Sequence, residues 1–223
     1  MLNRTFVLVF LTIMTAVVVE SFHRSPNNKD KMSYDEYLQW QKKKSLDPVR
    51  RKKWKGEEWN SKFSKFKERF LLYKERKYFD NNSKVLLVGA RTGQEVAAMR
   101  DIGVSSAMGM DIVEDLPYVI ASDMHDMSFA ENKSYDFIFS NIYDHALHPD
   151  KFASELHRVL KPGRAGRVCL HCMLNDEGDS YTATRVKTSA DMIAVIEHAG
   201  LKYDAGEAIA MLGLSYEVCF INQ

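Results

Sequence analysis

The chain has 223 residues, 45% of them hydrophobic and 27% charged, with a formal net charge of +1. That is an ordinary globular composition, long enough to bury a good core, and the lack of internal repeats or low-complexity tracts excludes a solenoid or a disordered chain. The near-neutral total hides a split: residues 42–77 hold 15 of the 31 lysines and arginines but only five of the 30 acids, so a segment of net +10 adjoins a remainder of −9.

In chain order, the first element is an apolar run. Arg4 and the terminal amine precede Phe6 to Val19, which only Thr12 and Thr15 interrupt. As a helix this run spans roughly 21 Å, short of the roughly 30 Å hydrocarbon core. Residues 1–21 therefore fit a cleaved secretory signal or a short signal-anchor, with an organelle presequence as the alternative. The expected location is the secretory pathway or an endomembrane, with topology open. In a lumenal chain Asn81-Asn82-Ser83 and Asn132-Lys133-Ser134 would be glycosylation sequons.

Residues 22–58 are polar and basic, contain Pro26 and Pro48, and read as a linker with one short helix near SYDEYLQWQKK. From Trp59 a pattern emerges. Trp59, Phe63, Phe66, Phe70 and Tyr73 recur at helical spacing, with lysines and arginines between them. This predicts an amphipathic lead helix over 59–80 whose rings pack on the main domain while its charges are solvated. Contact with anionic lipid or an acidic acceptor is the alternative. A helical stripe uses its rings for burial rather than for base stacking, so no nucleic-acid partner is expected.

Beyond Asp80 strand and helix alternate. VLLV (85–88) is a buried-type strand, and GQEVAAMRDI begins a helix that Gly103 can close. Strands follow at 107–111, 118–122 and 135–140, then a helix over 150–160, a strand over 167–174 and a helix over 190–199. Two closing strands are expected near EAIAML and SYEVCFI. The alternation predicts an α/β fold with a largely parallel, helix-covered sheet. Cys169, Cys172 and Cys219 are odd in number and imply no closed disulfide framework. Cys169 and Cys172 stand three apart in a strand, so they face opposite sides and cannot share a metal. They read as buried small apolar residues, and no metal site is expected.

The turn after VLLV invites a ligand. Gly89 and Gly93 let backbone approach closely and expose amides at a helix start. The sequence G-A-R-T-G lacks the G-x-G pair that a pyrophosphate needs, which weighs against a nicotinamide oxidoreductase. Asp111 ends the second strand, where a carboxylate can accept both hydroxyls of a ribose; the alternative is a solvated strand-end aspartate. Asp123 ends the third strand, placed to accept from an adenine amino group or to cap a turn.

Taken together, VLLVGARTG, MGMD, SDMHDMSF, YDFIFSN and FASELHRVLKPG resemble the class I S-adenosylmethionine-dependent methyltransferases of the type 11 kind, over roughly residues 84–223. The resemblance implies a Rossmann-like, seven-stranded, mostly parallel sheet with helices on both faces and a reversed last strand. It also implies S-adenosyl-L-methionine as cofactor, bound by Gly89, Gly93, Asp111, Asp123 and Met124, with Ala90, Arg91, Ile112 and Asn141 beside them. Three positions depart from the general pattern: Leu87 stands where an acid is usual, Arg91 where a middle glycine is, and Arg164 where a second glycine follows KPG. GARTGQEV and Asp144-His145-Ala146-Leu147 resemble a plant-like subgroup in which G-A-R-x-G-x-E-V is the local form. There the Arg91 guanidinium would face the methionine carboxylate as a bidentate partner, or pair with Glu95 one helical turn on.

A sulfonium methyl needs alignment more than a catalytic group. A hydroxyl acceptor would still benefit from a base that titrates near neutrality, and His145 is the best placed, with Asp144 second. His125 and His148 read as ordinary loop residues. The expected activity is methyl transfer to a small-molecule or glycan acceptor, the alternative being a cofactor-binding protein of the same fold without turnover.

Overall fold

The computed structural model describes residues 32–174, 181–205 and 215–223. The apolar amino-terminal run and the strand expected at EAIAML lie outside these described residues. Six helices are described: α1 (Tyr34–Leu46), α2 (Pro48–Lys55), α3 (Trp59–Glu75), α4 (Gln94–Asp101), α5 (Pro149–Val159) and α6 (Ser189–His198). The strands are β1 (Val85–Val88), β2 (Met108–Asp111), β3 (Val119–Ala121), β4 (Phe137–Ser140), β5 (Gly163–Met173), β6 (Leu201–Asp204) and β7 (Ser215–Asn222). They form one seven-stranded sheet in the order β3-β2-β1-β4-β5-β7-β6. All pairs from β3 to β5 are parallel. Strand β7 enters antiparallel between β5 and β6, which is the reversed last strand.

The central strand explains the layering. Its VLLV is buried on both faces, as a parallel strand under helices must be. Leu86 and Val88 pack with Phe152, Leu156, Met192 and Ile196 under α5 and α6. Val85 and Leu87 face the opposite side with Phe70, Tyr73 and Met99 under α3 and α4. Leu87, the departure from the family's acid, is therefore a core residue behind the sheet.

The aromatic stripe of α3 does what its spacing predicts. Phe63, Phe66, Phe70 and Tyr73 lie against the sheet, and the Phe70 ring meets Phe139 edge-on at 5.3 Å. The helix ends at Glu75 rather than at residue 80. Among its charges, Arg69 reaches inward to Glu217 while Lys67 pairs with Asp101 near the surface.

The short helix expected near SYDEYLQWQKK is α1, which runs on to Leu46, and the linker expectation is corrected at residues 48–55, which form a second helix. A reciprocal capping box between Ser33 and Glu36 starts α1, and Asp47 caps α2 with Pro48 in its first turn. Their buried residues are Tyr37, Ser45 and Trp54, too widely spaced to mark an apolar stripe. Strand β6 likewise follows Gly200 directly, where no strand was expected; only four residues long, it offers little pattern to read. A further correction concerns the cysteines. Cys169 and Cys219 stand opposite each other on β5 and β7 and form a disulfide. Strand assignment alone could not show it, since the antiparallel insertion of β7 creates the pairing. Cys172 is free on the other face, beside Met192.

Replacing Phe70 by Ala should cost about 3–5 kcal/mol of unfolding free energy, by the usual cost of deleting a buried aromatic. Leu72→Ala, on the half-exposed side of the same helix, should cost less than about 1 kcal/mol. Urea unfolding of the two variants measures the contrast.

Candidate functional site

A cavity of about 270 Å³ opens beyond the carboxyl ends of β1, β2 and β4, where strand order reverses beside β1. The turn leaving β1 builds its floor. Gly89 and Gly93 have φ of +84° and +91°; a Cβ would come within 2.5 Å of the Ile142 side chain at the first and 2.4 Å of Tyr118 at the second. The amides of Gly89 and Ala90 donate to the Met110 carbonyl at 2.9 and 3.0 Å, and the Arg91 amide donates to Asp111 Oδ2 at 3.0 Å. The turn and the end of β2 are thus one hydrogen-bonded unit.

Asp111 lines the cavity beside Ile112. Burial pushes its carboxyl above the usual range, opposed by the amides of Arg91, Ile112 and Val113. Arg91 lines the wall with φ of +46°, and its guanidinium lies over the Trp54 ring at 5.1 Å. The alternative Arg91–Glu95 ion pair does not form among the described residues. Glu95 is buried in the first turn of α4, where its Oε1 receives Asn141 Nδ2 at 3.5 Å and its Oε2 has no hydrogen-bond partner. Burial raises it to about 7, moderated by the positive charge of Arg91.

Asp123 and Met124 form the other end of the wall. Burial alone would raise the Asp123 carboxyl, but hydrogen bonds from His125 and Tyr34 hold it below the usual range. His125 corrects its loop assignment. Its Nε2 accepts from the His148 amide at 3.2 Å, so Nδ1 carries the proton and points at Asp123 Oδ1, 2.9 Å away. It is a buried brace.

His145 lines the cavity in a short 3₁₀ turn after β4. Its Nδ1 lies 2.8 Å from the Tyr181 carbonyl, an acceptor only, so Nδ1 carries a proton and Nε2 is the nitrogen left for another partner. Asn141 and Gly89 line the cavity as well. Asp144, Ala90 and Gly93 do not. The Asp144 carbonyl accepts from the amides of Ala183 and Thr184, and its carboxylate faces the Thr182 hydroxyl at 3.4 Å. Ala90 packs into the core behind the turn, and Gly93 shapes the start of α4.

Sequence reasoning missed the other half of the wall, which comes from the presumed linker: Tyr37, Gln41, Lys44 and Arg50, besides Trp54. Helix α1 is anchored by Tyr34 on Asp123, Tyr37 on the His145 carbonyl and Gln41 on the Tyr181 carbonyl. Helix α2 is held by Gln94 on the Trp54 carbonyl at 2.8 Å and by Arg51 and Lys55 on Asp115. The Asp-Pro pair at 47–48 was the signal that could have found the second helix, and the S-x-x-E capping signature at 33–36 marks the start of the first.

Residues 86–170 match the family model described as a methyltransferase domain. No curated protein matches the chain. Among solved structures, the 1,6-didemethyltoxoflavin-N1-methyltransferase of Burkholderia thailandensis, with bound 1,6-didemethyltoxoflavin and S-adenosylhomocysteine, is similar at TM-score 0.62 and 15% identity, covering 86% of this chain and 92% of that one. An S-adenosylmethionine-dependent methyltransferase from Aquifex aeolicus is similar at TM-score 0.53 and 20% identity, over 69% and 88%. The [4+2]-cyclase SpnF is similar at TM-score 0.54 and 18% identity, over 64% and 59%. At these identities the likeness is one of fold.

Glu95 generates a test of its own. Its carboxyl binds a proton more tightly in the folded chain, so the stability it contributes is complete below pH 4.5 and lost as pH rises through about 7. Glu95→Gln should remove that loss, about 3 kcal/mol between pH 4.5 and 8 relative to the parent chain. Urea midpoints of the two proteins across that range measure it.

Proposed function

We propose that this chain, whose residues 86–170 match the methyltransferase-domain model, is an S-adenosylmethionine-dependent methyltransferase that transfers a methyl group to a small-molecule or glycan acceptor. The observation that carries this reading is the Asp111 carboxylate, fixed at the end of β2 on the cavity wall by the amide of the β1 turn. The donor set suits the cofactor. Asp111 would accept the ribose hydroxyls and Asp123 the adenine amino group, with Ile112 and Met124 against the rings. Arg91 would face the methionine carboxylate; Gly89, Ala90 and Gly93 shape the turn, and Asn141 lies at the same end. The buried, unpartnered Oε2 of Glu95 beside Asn141 suits an end that receives an ammonium group.

When bound, S-adenosylmethionine supplies an electrophilic methyl group on its sulfonium. The chain's own task is alignment, worth roughly 7–11 kcal/mol of barrier, and the exclusion of water, for which α1 and α2 form half of the wall. For a hydroxyl acceptor, His145 is the proposed base: its Nδ1–H is held by the Tyr181 carbonyl, so Nε2 is the atom that takes the proton. Asp144 is assigned a positioning role, since its contacts fix the segment from Tyr181 to Thr184 against which His145 leans. The departures at Leu87 and Arg91 motivate a second reading, cofactor binding without methyl transfer. A nicotinamide enzyme is disfavoured by a turn that lacks the G-x-G pair.

The same proposal locates the chain in the secretory pathway or an endomembrane. The Cys169–Cys219 disulfide supports this, because such bonds persist in oxidising compartments. The sequon asparagines precede β1 and β4, on the rim opposite the cavity, so glycans there would leave it open.

Calorimetric titration should show binding of S-adenosylmethionine and S-adenosylhomocysteine but not of NADH, and Asp111→Ala should weaken both by ten- to a hundredfold. An unchanged affinity would put the ribose elsewhere, and donor binding without label transfer to any extract fraction would favour the second reading. For location, the protein from secretory cells should gain mobility on glycosidase treatment, and the shift should vanish in Asn81→Gln/Asn132→Gln. A parent protein insensitive to glycosidase would reject a lumenal domain.

A further inference from the structure

The three most exposed large hydrophobic residues among those described are Val49 at 75%, Leu116 at 68% and Leu46 at 57%. They gather at one corner of the molecule. Leu46 ends α1, Val49 begins α2, and Asp47 between them caps the second helix. Leu116 joins the same corner because its neighbour Asp115 receives Arg51 at 2.6 Å and Lys55 at 2.8 Å. Exposed apolar side chains concentrated in this way mark an interaction surface, whereas scattered ones mark nothing.

Their surroundings say what the partner is. Lys43 lies one helical turn before Leu46, and Lys52 and Lys53 one turn after Val49, all exposed. Helix α2, PVRRKKWK, carries five basic residues and no acid. Asp47, the acid between the two helices, is committed to the Arg50 amide. Glu58 also approaches, pairing with Lys53 at 3.0 Å. Leu46 and Val49 are flanked by exposed lysines, while Leu116 follows the acids Glu114 and Asp115, the latter committed to Arg51 and Lys55. Apolar side chains set among lysine and arginine suit a layer with anionic headgroups over hydrocarbon, where the first enter the acyl boundary and the second stay among the phosphates. A polyanion such as RNA would use the charges and leave the leucines and valine in water.

We propose that the α1–α2 corner, with Leu116, docks on an anionic lipid surface. The corner adjoins the cavity, since Ser45 and Arg50 line it, so a docked molecule would hold its crevice at the headgroup level. This inference concerns attachment and stands whether or not the methyl-transfer reading holds.

The test is co-sedimentation of the full chain with phosphatidylcholine vesicles and with vesicles containing 30% phosphatidylserine. Each basic residue near an anionic surface strengthens partition about fivefold, so the parent chain should bind the anionic vesicles at least tenfold more tightly. Lys43→Glu/Lys52→Glu and, separately, Leu46→Glu/Val49→Glu should each lower that binding about tenfold or more. Affinity for S-adenosylhomocysteine and circular dichroism serve as folding controls, since none of the four residues lines the cavity. Equal binding to both vesicle types, or no loss in either variant, would assign attachment to the amino-terminal run alone and overturn the proposal. So would binding of a single-stranded RNA that the lysine variant loses and the apolar variant keeps.

Discussion

The cavity exists because backbone leaving β1 turns back onto the end of β2. Three consecutive amides, those of Gly89, Ala90 and Arg91, spend their hydrogen bonds on the Met110 carbonyl and the Asp111 carboxylate. That arrangement has positive φ at Gly89 and Arg91; glycine reaches it freely, and the +46° of Arg91 falls at the edge of the small left-handed region open to other residues. It leaves a carboxylate in a buried place yet hydrogen-bonded, and buried charge without partners is costly. Where the floor is set by backbone in this way, side chains of the turn are free to vary, and Arg91 can replace a glycine and reach out to Trp54 without disturbing Asp111.

The amino-terminal helices close what the sheet opens. Apart from the ion pairs of α2 with Asp115, their anchors fall on residues that border the cavity or on a segment beside it: Asp123, the carbonyls of His145 and Tyr181, and Gln94 of the first turn of α4. Cover and floor share contacts, so a ligand that shifts Asp123 or the 181–184 segment also acts on α1. The brace through His125 and His148 extends the same network to the start of α5.

Most of the sheet was legible because its strands are buried on both faces and read as short apolar runs, with helices of clear periodicity between them. Asp111 and Asp123 were legible because they end strands, and strand ends are where side chains of a parallel sheet meet a ligand. What resisted reading has a common cause. A helix was expected near the start of α1, but α2 and the part both helices play in the wall were not. Both bury single residues against a cavity rather than a stripe against a core, so their caps identify them better than their periodicity does. The Cys169–Cys219 bond depends on which strand inserts beside β5, a matter of topology that local sequence does not carry. Likewise His125, Tyr34 and Asp123 meet only once the chain is folded; their separation of 89 residues between Tyr34 and Asp123 hides the contact. Glu95 belongs with them, since nothing in GARTGQEV says that one oxygen of its carboxyl meets Asn141 and the other lies buried without a hydrogen bond.

The reversed direction of β7 fixes where the carboxyl-terminal residues emerge. Asn222 lies beside Gly163 and Leu201, at the amino ends of the strands, and donates to the Leu160 carbonyl. Tyr34, by contrast, sits on Asp123 at the mouth of the crevice. Anything fused or tethered after Gln223 therefore hangs from the far rim, leaving ligand traffic unhindered, whereas the same graft ahead of α1 crowds the doorway. For immobilised enzyme or a fluorescent fusion, the carboxyl side is the handle to choose.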